Sequence, residues 1–263
     1  MPISKILSNW KNNVFDAVYW LEGEESFYID QVVQYAENKL LPEADLAFNL
    51  TIFYGKDADW AEVVNACKRY PVFAEKQVVI LKEAQHMKEI DKLEGYFENP
   101  LASTIFIVGY KGKGYDKRTK LYKIIKQHAE ILVSEKLKDY KVGEWIKEFV
   151  TSKEFTISPK GVVLLEEHIG NDLNRIVNEL EKLSLNLKGK KNISEDDIEN
   201  YVGISKEYNV FELQAAIAKK DLAKALTIIQ YFDANPKAGP IQMVLPALYA
   251  SFSKIYTVFG MVD

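Results

Sequence analysis

Short apolar runs that alternate with helical patterns restrict the fold of the first half of this 263-residue chain more than any other feature. The run at residues 78–81 is unbroken, rich in β-branched side chains and bounded by polar residues. Such a run is typical of a strand that is buried on both faces of a parallel sheet. Similar runs occupy residues 18–21, 50–54, 104–108 and 131–133. Because helical patterns separate them, the sequence predicts right-handed β-α-β units around a parallel sheet.

The residues after Tyr140 show only the helical spacing of apolar side chains, so we expect an α/β region followed by an all-α region. The predicted helices lie at residues 27–41, 59–69, 85–97, 118–128, 142–152, 159–169, 172–187 and 194–201. We predict three domains, at residues 1–140, 141–205 and 206–263. The third has more apolar surface than two and a half helices can bury among themselves, so we expect it to be incomplete.

The composition is that of a soluble globular protein, with 48% hydrophobic and 27% charged residues. The net charge of -4 argues against a protein that binds nucleic acid through its overall charge, so contact with DNA would need a local basic patch. The single cysteine, Cys67, excludes an internal disulfide and a cysteine-based zinc site. No stretch approaches the roughly 18 apolar residues of a membrane span, so we expect a cytoplasmic protein without membrane contact.

The turn after the first predicted strand lies where a P-loop would bind nucleotide phosphates, but its residues do not fit that motif. Gly23 stands at the first glycine position, whereas Tyr28 replaces the second glycine, Ile29 the lysine and Asp30 the hydroxyl residue. Without the lysine charge, and with acidic side chains nearby, this turn would repel the phosphates of a nucleotide.

The third predicted strand indicates the same loss of nucleotide chemistry. A Walker B element needs an acidic pair directly after the apolar run, and here that pair reads Lys82-Glu83. The three histidines lie in different predicted elements without the spacing of a metal site. We therefore expect a P-loop architecture that does not hydrolyse ATP, and no metal, cofactor or catalytic site within this chain.

Two apolar side chains follow a proline on the connection between the helix at 59–69 and the strand at 78–81. The proline ends the helix and keeps the backbone extended at Pro71-Val72-Phe73. Because connections run over the surface, Val72 and Phe73 are either packed under their own loop or available to a partner.

A basic segment follows the fourth predicted strand at residues 111–120. Its positive charges, together with glycines and a tyrosine, suit either a solvated loop or contact with nucleic-acid phosphates. The candidate DNA contacts are Lys111, Lys113, Lys117, Arg118 and Lys120.

The helical half of the chain carries the most specific motif. Residues 170–183 read GNDLNRIVNELEKL, which is similar to the pattern G-x-D-L-x-x-x-x-x-E-L-E-K-L of the delta subunit of the bacterial DNA polymerase III clamp loader. The segments 193–198 and 209–213 follow in the family's order, and the resemblance covers essentially the whole chain. It implies an AAA+-type first domain with a degenerate nucleotide site, a helical lid, and a C-terminal collar that assembles with the gamma/tau and delta prime subunits.

The resemblance also implies a function and a site. A member of this family binds the sliding clamp, or beta subunit, and helps to open it for loading on primed DNA, within a polymerase complex classed as a nucleotidyltransferase. Its clamp-binding motif ends in a hydrophobic pair, typically Ser-Leu-Phe, and this chain has Pro71-Val72-Phe73 there, flanked by Arg69 and Tyr70. Of these positions, Phe73 is the one at which this chain matches the family's motif most closely. We expect Phe73 to be partly covered by its own loop or by the helix before it in the free protein, because burying a Phe stabilises by roughly 1.5–3 kcal/mol.

Two alternative functions remain open. One is an active ATPase of the same fold, against which the stretch from Gly23 to Asp30 argues. The other is a stand-alone DNA-binding module. The basic segment favours this function, whereas the net negative charge of the chain argues against it.

Overall fold

The computed structural model of the protein describes residues 3–187, 189–202, 208–236 and 239–259. The chain divides into two compact units, Met1–Leu137 and Lys138–Asp263. The boundary expected between residues 205 and 206 lies outside the described residues. Each unit is described below by itself.

The first unit is built on a parallel sheet of five strands in the order β2-β3-β4-β1-β5. The strands are β1 Val18–Gly23, β2 Leu50–Tyr54, β3 Gln77–Lys82, β4 Thr104–Lys111 and β5 Glu130–Ser134. Every apolar run of the sequence lies in one of these strands. The predicted parallel sheet is therefore confirmed, and β2 and β5 form its edges.

Helices connect the strands of this sheet. They are α1 Ser4–Lys11, α2 Ser26–Lys39, α3 Glu43–Asn49, α4 Trp60–Lys68, α5 Glu94–Glu98 and α6 Lys120–His128. The prediction of one helix over 85–97 is wrong, because this stretch forms two 3₁₀ turns followed by α5. The backbone is left-handed at Glu83 and Glu89 (φ 52° and 54°), which interrupts an α-helix before each turn. The sequence interpretation also missed α3.

Burial differs along the sheet in the way its topology requires. Strands β1, β3 and β4 are buried almost throughout, whereas the edge strand β2 alternates between half-buried and exposed residues. Large side chains fill the core on one face of the sheet, where Phe97 packs against both Trp20 and Phe106. An edge strand with one open side leaves backbone and side chains available at that border of the molecule.

The second unit is mainly helical. Its helices are α7 Val142–Ser152, α8 Pro159–Ile169, α9 Leu173–Asn186, α10 Glu195–Val202, α11 Val210–Ala218, α12 Leu222–Ala234 and α13 Ile241–Phe259. The expectation of helices alone is wrong, because β6 Thr156–Ile157 pairs in parallel with β7 Asn192–Ile193. Two-residue strands are too short to give a periodic signal in the sequence.

Side-chain caps fix the helix ends of this unit. Asp172 accepts a hydrogen bond from the backbone N–H of Arg175 at 3.0 Å and so caps the start of α9. Before α10, Ser194 and Asp197 bond reciprocally, with the N–H of Ser194 donating to Asp197 Oδ2 at 2.7 Å. Asp and Ser are among the residue types that are preferred at the start of a helix.

Candidate functional site

The connection from α4 to β3, residues 69–76, presents large apolar side chains to solvent. Phe73 is fully exposed (103% of its reference area), and Tyr70 is 77% exposed. Val72 is also exposed. The expectation that Phe73 is partly covered in the free protein is therefore wrong. Its backbone is left-handed (φ 53°), which is uncommon for a bulky residue and for which the sequence carries no signal.

The start of this loop is fixed by side chains of the sheet. The Gln77 side chain, buried at the first position of β3, donates to the carbonyl oxygen of Arg69 at 2.6 Å and to Thr104 Oγ1 at 2.8 Å. Thr104 in turn donates to the carbonyl oxygen of Cys67 at 2.8 Å. These bonds satisfy carbonyl groups that the end of a helix leaves open, so the loop leaves α4 in a defined direction.

The middle of the loop is held by Asn49, the last residue of α3. Asn49 Oδ1 accepts a hydrogen bond from the backbone N–H of Val72 at 2.7 Å, and Asn49 Nδ2 donates to the Val72 carbonyl oxygen at 3.0 Å. A third hydrogen bond holds the loop, because Arg69 Nη2 donates to Thr51 Oγ1 on β2 at 3.2 Å. Both backbone polar groups of Val72, the residue directly before the exposed Phe73, are therefore held by hydrogen bonds.

A further exposed aromatic side chain lies next to this loop. Phe48 is 70% exposed and directly precedes Asn49, which is bonded to Val72. Phe48, Tyr70, Val72 and Phe73 together form what we call the apolar patch. The sequence interpretation missed Phe48, although Pro42 followed by the acidic Glu43 and Asp45 is a helix-start signal that could have located α3.

The five residues named for this site from the sequence are all placed on the same loop. Arg69 is the C-cap of α4, and Tyr70, Pro71, Val72 and Phe73 follow it. Solvent-exposed apolar side chains that cluster on a fixed backbone are a feature of protein-binding surfaces. The patch has no titratable pair or nucleophile, so what it can do chemically is pack against an apolar partner surface.

The position that a P-loop would occupy is filled by the protein itself. A Cβ atom on Gly23 would lie 2.0 Å from the carbonyl oxygen of Ser134, so β5 alone requires glycine there. The Glu25 side chain accepts a hydrogen bond from the N–H of Phe27 at 3.1 Å and caps the start of α2. The start of a helix is where a nucleotide phosphate would bind, and here a carboxylate takes that place.

The other residues of the degenerate nucleotide site serve packing and ion pairing. Tyr28 and Ile29 are buried in the core, and Asp30 pairs with Lys111 Nζ at 2.6 Å. Lys82 forms an ion pair with Glu37. Burial lowers the pKa of Lys82, but its hydrogen bond to Glu37 and the Glu37 charge outweigh burial and hold it above the usual value.

Glu83 is the last of the six residues assigned to the degenerate nucleotide site. It follows β3, has a left-handed backbone and precedes a 3₁₀ turn. A positively charged Lys82 that is already paired occupies the position at which a Walker B element holds magnesium through an acidic residue.

The basic segment is tied down at its centre. The N–H of Tyr115 donates to the buried Glu22 at 2.9 Å, and the Tyr115 ring packs edge-on against Trp20 at 5.5 Å. Glu22 also accepts from Trp20 Nε1 at 2.9 Å and was not singled out from the sequence. A lone acidic residue at the end of a strand gives no signal of such burial.

Several of the proposed DNA contacts are paired with acidic residues. Lys111 pairs with Asp30, Arg118 with Asp116 at 2.8 Å, and Lys120 with Glu94 at 3.0 Å. The hydrogen bonds from Arg118 lower the pKa of Asp116 to about 2. For Lys113 and Lys117, no ion pair is found with any residue that the structure describes.

A search for metal-binding and membrane-spanning features gives negative results over the described ranges. Within residues 3–187, 189–202, 208–236 and 239–259, no group of three or more His, Cys, Asp or Glu side chains could hold a metal ion. In the same ranges, none of the helices combines the length and the apolar character that crossing a bilayer requires.

The chain is similar to a family model and to a bacterial protein that carry the same description. Residues 19–135 match the family model described as DNA polymerase III, delta subunit. The chain is 24% identical over 221 residues to the DNA polymerase III subunit delta of Bacillus subtilis (strain 168), an alignment that covers 80% of this chain and 64% of that protein. The chain thus spans less than two thirds of this relative's length.

A solved structure agrees with these sequence matches. The Bacillus subtilis DNA clamp loader delta protein superimposes with a TM-score of 0.66 and 21% identity, covering 94% of this chain and 75% of that one. The likeness confirms the predicted architecture, a parallel sheet with helices followed by a mainly helical part. The resemblance seen in the sequence motifs is confirmed as well.

Proposed function

We propose that this chain, whose residues 19–135 match the family model of the DNA polymerase III delta subunit, binds a sliding clamp through the apolar patch and helps to open it. The observation that carries the proposal is Phe73, a fully exposed aromatic side chain on a loop whose backbone is fixed by buried side chains. A rigid apolar anchor of this kind can supply most of the energy of a protein interface when it enters a pocket on the partner.

Opening the ring requires a difference in affinity and no chemistry within this chain. A subunit that binds the open ring more tightly than the closed ring shifts the equilibrium toward opening, and a difference of a few kcal/mol is sufficient. Energy from ATP would then be supplied by other subunits of the loader, and the opened clamp would be placed on primed DNA.

The nucleotide site supports a subunit that neither binds nor hydrolyses ATP. Glu25 caps α2 where phosphates would bind, and Lys82 stands at the metal position. The measurement is a calorimetric titration with Mg-ATP, for which we expect no heat of binding. Binding in the micromolar range or tighter would favour an active ATPase instead.

Contacts with other loader subunits are assigned to the helical unit, which we interpret as a lid and a collar domain. Helix α13 exposes a run of large apolar side chains that the described helices leave uncovered: Ile241, Leu245, Tyr249, Phe252 and Tyr256. Such a face suits packing against the gamma/tau and delta prime subunits.

The exposed Lys113 and Lys117 are the best-placed candidates for DNA contact. We expect the complex to act in the cytoplasm.

The test of the proposal is direct binding to the cognate sliding clamp. The 263-residue protein and the clamp should elute together in size-exclusion chromatography, and Phe73→Ala should abolish co-elution. A matched control is Leu185→Ala, which removes another strongly exposed apolar side chain (84%) from α9 in the other unit. Wild-type protein that does not bind the clamp, or equal loss in both variants, would contradict the proposal.

A further inference from the structure

We infer that Asn49 is a positioning residue, whose buried carboxamide holds the backbone of Val72 and thereby presents Phe73 in one fixed geometry. The inference concerns a residue outside the loop itself, and it rests on the proposed function where it predicts an effect on clamp binding. The hydrogen bonds from Asn49 to Val72 are present in the free protein, so their effect on the loop can be measured without any partner.

The two hydrogen bonds to Val72 replace those that a neighbouring strand would make. Asn49 is 2% exposed, and its side-chain oxygen and nitrogen bond to the N–H and the carbonyl oxygen of the same residue, at 2.7 and 3.0 Å. Val72 is 23 positions away in sequence, so this contact closes the segment between α3 and the loop. A buried side chain that satisfies both backbone groups of one residue restricts its backbone torsions strongly.

A second carboxamide lies beside the first. In the parallel pairing of β2 with β3, Leu50 is opposite Val78, so Asn49 and Gln77 occupy adjacent positions at the edge where both strands begin. Gln77 holds the carbonyl oxygen of Arg69 at 2.6 Å, and Asn49 holds Val72. The segment from Arg69 to Val72 is therefore fixed at both ends, and Phe73 follows directly.

The backbone at Phe73 needs such support. Its φ of 53° is a conformation that large side chains adopt rarely, and it persists only where the surrounding structure determines it. Fixing the loop before binding removes part of the ordering cost that the interface would otherwise meet. The chemistry at position 49 is specific, because an aspartate could accept from the Val72 N–H but would repel its carbonyl oxygen.

The first test is hydrogen exchange at the amide of Val72 in the free protein. Asn49→Ala should raise its exchange rate at least about 10-fold, the scale expected for loss of the hydrogen bond to this amide, while the amides of β3 and β4 keep their protection. Asn49→Asp should raise it less, because its carboxylate can still accept from the Val72 N–H. Asn38→Ala is the control, since Asn38 is exposed and bonds within α2. An unchanged Val72 amide in Asn49→Ala would overturn the inference, whether or not the clamp binds.

The second test is a double-mutant cycle on clamp affinity. Each Asn49 variant should weaken binding by about 10-fold in the wild-type background and by less than about 2-fold in the Phe73→Ala background, because positioning matters only when the anchor is present. A variant that weakens binding equally in both backgrounds would contradict a role exerted through Phe73. If Asn49→Ala fails to fold, Asn49→Asp, which loses the bond to the Val72 carbonyl oxygen, decides the question through this cycle.

Discussion

Replacing Phe73 by alanine should weaken clamp binding strongly while leaving the fold unchanged. Phe73 is fully exposed in the free protein, so its removal takes no contact away from the core. Alanine keeps the Cβ atom, so the left-handed backbone is as strained in the variant as in the wild type. The free energy of unfolding should therefore change by less than about 0.5 kcal/mol.

The effect on binding follows from the area of the side chain. A phenylalanine that passes from full exposure into a pocket buries roughly 150–250 Å². At 25 cal/mol per Å² this corresponds to about 4–6 kcal/mol as an upper limit. The area that alanine still buries and the ordering of the interface reduce the difference, so we expect a loss of about 2–4 kcal/mol, or about 30- to 900-fold in Kd.

The assay measures Kd by surface plasmon resonance and the melting temperature on the same preparations. Leu185→Ala is the matched control, and both its Kd and its melting temperature should equal those of the wild type. A Phe73→Ala protein that binds the clamp as tightly as wild type would refute the assignment of the anchor. A variant that melts several degrees lower would show that Phe73 is a core residue.

Three further outcomes can be checked on the same protein. Phe48→Ala should weaken clamp binding by about 1–2 kcal/mol, less than Phe73→Ala because Phe48 is less exposed and is displayed by α3, and an unchanged Kd would remove it from the patch. Titration with Mg-ATP should give no binding heat, whereas a saturable isotherm would contradict the loss of the nucleotide site. Burial and the nearby Arg175 charge lower the pKa of His168, so the stability it contributes is full above about pH 6.5 and is lost as the pH falls through the lower folded-state pKa. His168→Gln should reduce the fall in melting temperature between pH 7 and pH 5, and an identical pH profile would contradict this assignment.

The sheet could be predicted from the sequence because its signal is local. Each of its strands contains a short apolar run, and in the central strands β3 and β4 burial on both faces of the parallel sheet produces that pattern directly. The cap at Asp172 is local in the same sense, since the capping side chain and the amide that it accepts from are three positions apart.

The details that shape the candidate site depend on contacts between distant residues. No pattern near Val72 reveals that Asn49 bonds to it, because the two are 23 positions apart and meet only when β2 pairs with β3. The same holds for Phe73, whose sequence context allowed both a covered and an exposed side chain. The Phe73 side chain is exposed because the backbone before it is fixed by hydrogen bonds from distant residues. No short sequence motif encodes those bonds.

The most direct test of the central claim is a photo-crosslink from position 73 to the clamp. Phe73 would be replaced by p-benzoylphenylalanine, which retains an aromatic ring, and the crosslinked clamp residues would be identified by mass spectrometry. We expect efficient crosslinking to residues that line one apolar pocket of the clamp, and only background crosslinking when the same group is placed at Leu185. A complex that forms normally but gives no crosslink from position 73, or an equal yield from position 185, would contradict the claim that Phe73 anchors this chain to the clamp.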